Sequence, residues 1–159
     1  MKKILIGIDD SKFADHAAEY GFNLAHKLKA EVGLIHIIEP VVTPATLPGD
    51  TSIGMPFDTT ADMMMPELYH IQDERARNMI ASTIKKYGED MRITNFTEYG
   101  DTADGILKCS KDFNADMIVI GTHSRTGFDR FLMGSVAEHV IRHAEVPVLV
   151  VPMKEEERD

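Results

Sequence analysis

The sequence is poor in cysteine, which many extracellular proteins use for disulfides, and has no excess of the basic residues that nucleic-acid-binding proteins use. It contains one cysteine and no tryptophan, and 17 Lys and Arg residues face 26 Asp and Glu residues, which gives a net charge of −9 over 159 residues. A single cysteine cannot form an internal disulfide, which favours a reducing, cytoplasmic location. An acidic chain repels phosphate backbones, which argues against nucleic acid as the main partner.

Long apolar runs and the common nucleotide-binding motifs are also missing. No unbroken apolar stretch of about 18 residues exists, so we expect no membrane span, and the apolar run at residues 4–6 is too short for a signal peptide. No Walker A pattern occurs, and Gly7-Ile8-Asp9-Asp10-Ser11 stands where a dinucleotide-binding protein would carry Gly-x-Gly-x-x-Gly. These absences disfavour P-loop NTPases and dinucleotide oxidoreductases.

Short apolar runs alternate with helical periodicity along the chain. We predict strands at residues 4–8, 32–38, 93–99, 117–120 and 147–151. The segments between them carry apolar residues at three- and four-residue spacing, with Ser11 as a cap for the first helix. Five alternations predict an α/β fold, a doubly wound parallel sheet with helices on both faces.

We predict one domain over residues 1–153 and a charged tail at 154–159. Residues 41–65 hold three prolines and two glycines and end in three consecutive methionines, so we predict an irregular insert there. The insert either folds over the adjacent helix or closes as a lid on a ligand, since methionine adapts to many surfaces. Pro66 is predicted to open the next helix.

A ligand site is expected at the carboxyl ends of the strands, where the strand order reverses. A sheet of order 3-2-1-4-5 or 2-1-3-4-5 places this crevice beside strand 1, so Asp9, Asp10 and Ser11 are candidates. The opposite wall is expected from the loop that follows Ile120.

That loop, residues 121–135, carries groups suited to binding an anion. Glycines let backbone N–H groups approach a phosphate, and the helix that begins at Gly134-Ser135 offers free N–H donors. Ser135 and Glu138 also match a capping box, which is a purely structural explanation of the serine. The polar and glycine candidates of the loop are Gly121, Thr122, His123, Ser124, Arg125, Gly134 and Ser135.

The same loop, together with the apolar run at 147–151, resembles the universal stress protein family along the whole chain. The ATP-binding branch of that family carries G-x2-G-x9-G-[S/T]. Gly121 and Gly134-Ser135 fit this pattern, whereas Ser124 replaces the second glycine. If the backbone there has positive φ, a serine costs about 1–3 kcal/mol, and otherwise its hydroxyl is a further phosphate donor.

The resemblance implies an adenine-nucleotide alpha-hydrolase-like fold of strand order 3-2-1-4-5 that binds ATP, ADP or AMP between strands 1 and 4. Asp9 and Ile37 would contact ribose and adenine, and Ile120 would lie beneath the nucleotide. Gly121, Gly134 and Ser135 would hold the phosphates, accompanied by Mg²⁺ or Mn²⁺. The family typically forms homodimers through strand 5, which implies an interface at Val148 and Val150.

The function predicted on this basis is an ATP-dependent sensor or switch in a stress response. One alternative is a slow ATPase or autophosphorylating protein, with Asp10, His123 and Ser135 as its candidate groups. Another is a nucleotide-free dimeric interaction module.

Several residues admit a structural explanation beside a functional one. His139 and His143 are spaced as a metal pair but fit solvated helix residues, and His36 fits a hydrogen-bonded core histidine. Cys109 fits a small buried hydrophobe. Asp10 either reaches a metal ion through water or favours the start of the first helix.

Overall fold

The computed structural model describes residues 2–40, 59–122 and 133–153, with the side chains of all of these except residues 59–65. Strands and helices alternate in the predicted manner. Their bounds are β1 (Lys3–Gly7), α1 (Lys12–Leu28), β2 (Glu31–Ile38), α2 (Thr59–Tyr87), β3 (Ile93–Tyr99), α3 (Thr102–Phe113), β4 (Met117–Gly121), α4 (Ser135–His143) and β5 (Val148–Val151).

The five strands form one parallel sheet in the order β3-β2-β1-β4-β5. This order confirms the predicted fold class. β1 lies in the middle, with Gly7 opposite Ile35 of β2 and Ile6 opposite Val119 of β4. The carboxyl ends of β2, β1 and β4 therefore lie side by side at one edge of the sheet.

Each face of the sheet is buried by a different pair of helices. Alternate residues of the central strands point to opposite faces, so Ile6 packs under α1 and α2, whereas Leu5 packs under α3 and α4. Phe22 is the largest aromatic side chain of the first cluster, and Phe113 contributes the aromatic ring of the second. Because helices cover both faces, the central strands are apolar except for Lys3 and Glu31 at their starts and His36 near the end of β2.

In α1 and α3, a side chain caps the N-terminus and a residue in the left-handed conformation ends the helix. The Ser11 hydroxyl accepts a hydrogen bond from the Ala14 N–H at 3.1 Å, which confirms the predicted cap. The Asp101 carboxylate accepts one from the Asp104 N–H at 2.9 Å. Both helices end where one residue adopts positive φ, Lys29 in one case and Asn114 in the other.

The start of α2 differs from the prediction. The helix begins at Thr59, so Pro66 lies inside it, and the irregular segment predicted over 41–65 is wrong for residues 59–65. An interior proline loses one helical hydrogen bond and costs about 3 kcal/mol. The prediction assumed that this cost excludes proline from the interior of a helix, whereas the long helix α2 tolerates it. Residues 41–58, and with them the predicted lid, lie outside the described residues.

The remaining elements follow the sequence pattern. β3 lies at one edge of the sheet, and most of its residues alternate between half-buried and exposed. Across the described ranges, no helix is both long enough and apolar enough to cross a bilayer.

Cys109 lies on the buried side of α3 and is 3% exposed, which confirms its prediction as a small core residue. Burial, reinforced by Glu98 and Asp112, raises the pKa of its thiol to about 12. Only the thiolate is nucleophilic, so the folded protein should protect this cysteine chemically as well as sterically.

We therefore expect iodoacetamide at pH 8 to label Cys109 at least about 100-fold more slowly in the native protein than in urea. Mass spectrometry of timed samples measures both rates. A Lys108→Cys, Cys109→Ala variant, which moves the thiol to the exposed neighbouring position, should label rapidly in both conditions. Equal rates for the wild type with and without urea would contradict this prediction.

Candidate functional site

A cleft of about 180 Å³ lies at the carboxyl ends of β2, β1 and β4, bounded by described residues. Its floor is apolar and includes Ile37 and Ile120, which are 8% and 4% exposed. The starts of α1, α3 and α4 surround it, as expected where parallel strands run into their helices. The end of β1 and the turn before α4, which are more than a hundred residues apart in sequence, meet there.

The structure brings together seven of the predicted site residues at this cleft. They are Asp9, Ile37, Ile120, Gly121, Thr122, Gly134 and Ser135. Asp10 and Ser11 are not among the lining residues. Ser11 instead caps α1, and its N–H donates to Asp9 Oδ1 at 2.8 Å, which holds that carboxylate at the end of β1. The predicted loop residues His123, Ser124 and Arg125 lie outside the described residues.

Three polar lining residues were not predicted as site residues. His36 lines the cleft and is half-buried, and its Nδ1 lies 3.0 Å from the Ile8 carbonyl oxygen. Glu39 and Thr102 line it from the ends of β2 and β3, joined by a 2.6 Å hydrogen bond. Strand order was the available signal, because the end of β2 lies beside β1 and the end of β3 lies beside β2, but no motif marks either residue.

The N-terminus of α4 points into the cleft, and among the described residues no side chain caps it. Its N-cap is Gly134, one residue before the serine, so the predicted capping box at Ser135 is wrong. Ser135 is instead the first helical residue, and the carboxylate of Glu138 accepts from Arg142 at 2.8 Å. The first intrahelical bond runs from the Glu138 N–H to the Gly134 carbonyl, which leaves the preceding N–H groups of α4 without a helical acceptor.

Neither Gly121 nor Gly134, the two glycines of the predicted site at the cleft, has positive φ. Gly134 has φ −59° and ψ 149°, which any residue can adopt. A Cβ at Gly121 would lie 2.8 Å from the carbonyl oxygen of Phe13, so glycine lets the end of β4 approach the backbone of α1. The Gly134 N–H donates to the Thr122 carbonyl at 2.8 Å, which joins the two ends of the loop that the sequence analysis singled out.

Charge is distributed unevenly along the cleft. The carboxylates of Asp9 and Glu39 lie at the ends of β1 and β2, whereas the N–H groups of α4 lie beyond β4. A helix N-terminus carries a partial positive charge of about half an elementary unit. The cleft is therefore suited to a ligand with hydrogen-bond donors at one end and an anion at the other.

The His139–His143 pair lies on α4 and is engaged in other contacts. His139 Nε2 lies 3.2 Å from Asp104 Oδ1, and His143 Nδ1 lies 2.8 Å from the His139 carbonyl oxygen. In the part of the chain that the structure describes, no group of three or more His, Cys, Asp or Glu side chains is placed to hold a metal ion.

The universal stress protein family model matches residues 1–152. The chain belongs to this family. Universal stress protein MJ0531 of Methanocaldococcus jannaschii is 34% identical over 158 residues, which cover 97% of this chain and 85% of that protein. Universal stress protein MJ0577 of the same organism is 31% identical over 157 residues and 96% of each chain.

Solved structures of universal stress proteins share the fold. The structure of MJ0577 has a TM-score of 0.77 at 26% identity and covers 97% of each chain. An Archaeoglobus fulgidus universal stress protein solved in complex with dAMP has a TM-score of 0.56 at 20% identity, covering 94% of this chain and 97% of its own. Another universal stress protein, solved in complex with cAMP, has a TM-score of 0.61 at 19% identity, covering 95% and 96%.

The contact between Gly121 and α1 generates a stability prediction. Gly121→Ala should lower the free energy of unfolding by about 1–3 kcal/mol, because the new methyl group meets the Phe13 backbone, which cannot move without α1. Urea denaturation measures the loss.

The control for this prediction is Gly105→Ala in α3. There the new methyl group meets the Ile37 side chain, at its Cδ1, Cγ1 and Cγ2 atoms, and none of the nearest atoms is backbone, so rotation of that side chain can relieve part of the clash. Alanine also gains about 0.8–1.0 kcal/mol of helix propensity over glycine. This variant should lose less stability than Gly121→Ala. The reverse order of stabilities would refute the packing role assigned to Gly121.

Proposed function

We propose that this universal stress protein binds an adenine nucleotide (ATP, ADP or AMP) in the cleft and acts as a nucleotide-dependent sensor or switch in a stress response. The observation that carries the proposal is the N-terminus of α4, which no described side chain caps, at the end of a cleft with an apolar floor. The cytoplasmic location predicted above is part of the proposal, supported by a lone cysteine that is buried and reduced.

The floor of the cleft suits a nucleoside. Ile37 and Ile120 offer apolar surface for a base, and Asp9 offers carboxylate oxygens to ribose hydroxyls or to the adenine amino group. A carboxylate repels phosphate, so Asp9 favours binding of the nucleoside end at β1. Relatives of the same fold solved with dAMP and cAMP support an adenine ligand.

The α4 end suits the phosphates. Backbone N–H groups and the helix dipole attract an anion without the help of a lysine side chain. An acidic chain needs such a local source of positive charge if it is to hold a polyphosphate. Because the described residues offer no cluster of metal ligands, Mg²⁺ or Mn²⁺ would be held chiefly by the phosphate oxygens. The predicted contributions of His123, Ser124 and Arg125 stay predictions.

The slow ATPase alternative has less support among the described residues. Of its three candidate groups, Asp10 is exposed and not among the residues that line the cleft, and Ser135 lies on the first turn of α4. Release of phosphate from ATP, measured with purified protein, distinguishes an enzyme from a sensor. Phosphate release well above background would favour the enzyme.

Substitution of Gly134 tests the nucleotide site. Millimolar ATP with Mg²⁺ should raise the melting temperature of the wild type by about 5–10 °C at 100 times Kd, since saturation of this degree adds about 2.7 kcal/mol. Gly134→Asp should abolish the rise, because its carboxylate would accept from the free N–H groups of α4 and repel phosphate. The backbone angles of Gly134 permit the change.

Gly134→Ser is the matched control for this test. It also offers a cap but no charge, so it should keep at least half of the thermal shift. Differential scanning fluorimetry measures all three proteins, and the melting temperatures without ligand check that both variants fold. A full shift in Gly134→Asp would exclude this site, and no shift in the wild type would favour the interaction module.

The proposal includes a homodimer formed through β5. This strand lies at the edge of the sheet, so one row of its backbone groups has no neighbouring strand among the described elements. Val148 and Val150 are half-buried against the α3 and α4 side of the core, which leaves part of each apolar side chain exposed. Apolar edge strands favour pairing with a second chain.

We expect Val148→Arg to convert the dimer to a monomer, because two like charges would face each other across the twofold axis. Sedimentation velocity measures the change in mass. Ile141→Arg makes the same replacement at an exposed apolar residue of α4, away from the strand edge. It should leave the dimer intact, and dissociation in that control but not in Val148→Arg would argue for a different interface.

A further inference from the structure

Glu39 and Thr102 form a pair on the β2 side of the cleft. Glu39 follows the last residue of β2, and Thr102 is the first residue of α3. The Thr102 hydroxyl donates to Glu39 Oε1 at 2.6 Å, and both residues line the cleft. The hydrogen bond therefore holds an exposed carboxylate at the rim of the cleft. No sequence motif includes either residue of the pair.

The hydrogen bond determines what this pair can offer a ligand. The single proton of the Thr102 hydroxyl is committed to Glu39, which leaves the hydroxyl oxygen as an acceptor. A carboxylate has acceptors only. Asp9, at the neighbouring strand end, is likewise an acceptor and is held by the Ser11 N–H. This side of the cleft consequently selects groups that donate hydrogen bonds and repels anions.

The two ends of the cleft thus make opposite demands. In the sheet order, Glu39 extends β2 on one side of β1, and α4 lies beyond β4 on the other. A nucleotide whose 5′-phosphate binds at α4 directs its nucleoside away from that helix, towards the acceptors. Ribose hydroxyls are donors of the required kind, whereas a second phosphate on the ribose would meet a like charge.

We propose that the Glu39–Thr102 pair is a specificity determinant that favours nucleotides whose only phosphate group or chain is bound at α4 and disfavours those that carry a second, separate phosphate group on a ribose hydroxyl. This inference rests on the proposed nucleotide-binding function. It adds a residue outside the glycine-marked loop and a class of excluded ligands.

The test compares two commercially available ligands, adenosine 5′-monophosphate and adenosine 3′,5′-bisphosphate, by isothermal titration calorimetry on the full chain. The wild type should bind the monophosphate at least about tenfold more tightly, since like charges in contact are strongly unfavourable. Glu39→Gln should reduce this ratio to about threefold or less. Glu39→Lys should reverse it, so that the bisphosphate binds more tightly.

Glu89→Gln is the matched control. It removes the same charge from an exposed position in the turn after α2, which is not part of the cleft, and it should keep the ratio of the wild type. The reversal in Glu39→Lys is a gain of affinity, which misfolding cannot produce.

The outcomes separate this inference from the proposed function. If the wild type binds neither ligand, both fail. If it binds the monophosphate but Glu39→Gln and Glu39→Lys keep the wild-type ratio, the specificity role is refuted and the nucleotide site stands. Equal affinity of the wild type for the two ligands would refute it as well.

Discussion

The pairing of β1 with both β2 and β4 is the constraint on which the cleft depends. Because β1 is parallel to both, the three strands end at the same edge of the sheet, and Asp9, Ile37 and Gly121 come within one cleft. The approach is close enough that only a glycine fits between the end of β4 and the backbone of Phe13. A shift in this packing would move α1 and α4 relative to each other and alter every wall of the site.

The proposed mode of binding explains how a protein of net charge −9 holds a polyanion. A basic patch is not needed where backbone N–H groups supply the positive end of the site. The side chains of Ser11 and Asp101 cap α1 and α3, whereas no side chain among the described residues caps α4, and the proposal assigns its first N–H groups to the ligand. The carboxylates of Asp9 and Glu39 repel phosphate from the β1 and β2 side of the cleft. They therefore orient the ligand with its phosphates at the α4 end.

Local sequence patterns predicted the elements well because burial on both faces makes each strand a short apolar run and each helix an amphipathic stripe. The bounds of β3 and α4 follow directly from such patterns. The same logic was wrong at Pro66, where a local preference was overridden in a long helix. It was also wrong at Ser135, since a capping box needs this serine at the N-cap, whereas the helix starts one residue earlier, with Gly134 as its N-cap.

By itself, the sequence determined the alternation of strands and helices, the glycine-marked turn before α4 and the expectation that strand ends form the site. These features depend on neighbours along the chain, which periodicity and motif spacing record. Only the tertiary structure decided that Ser11 does not line the cleft, that Gly121 is needed against Phe13, and that Glu39 meets Thr102. Each of those features depends on how packing positions atoms from segments that are distant along the chain. Local sequence patterns carry no record of such distances and directions.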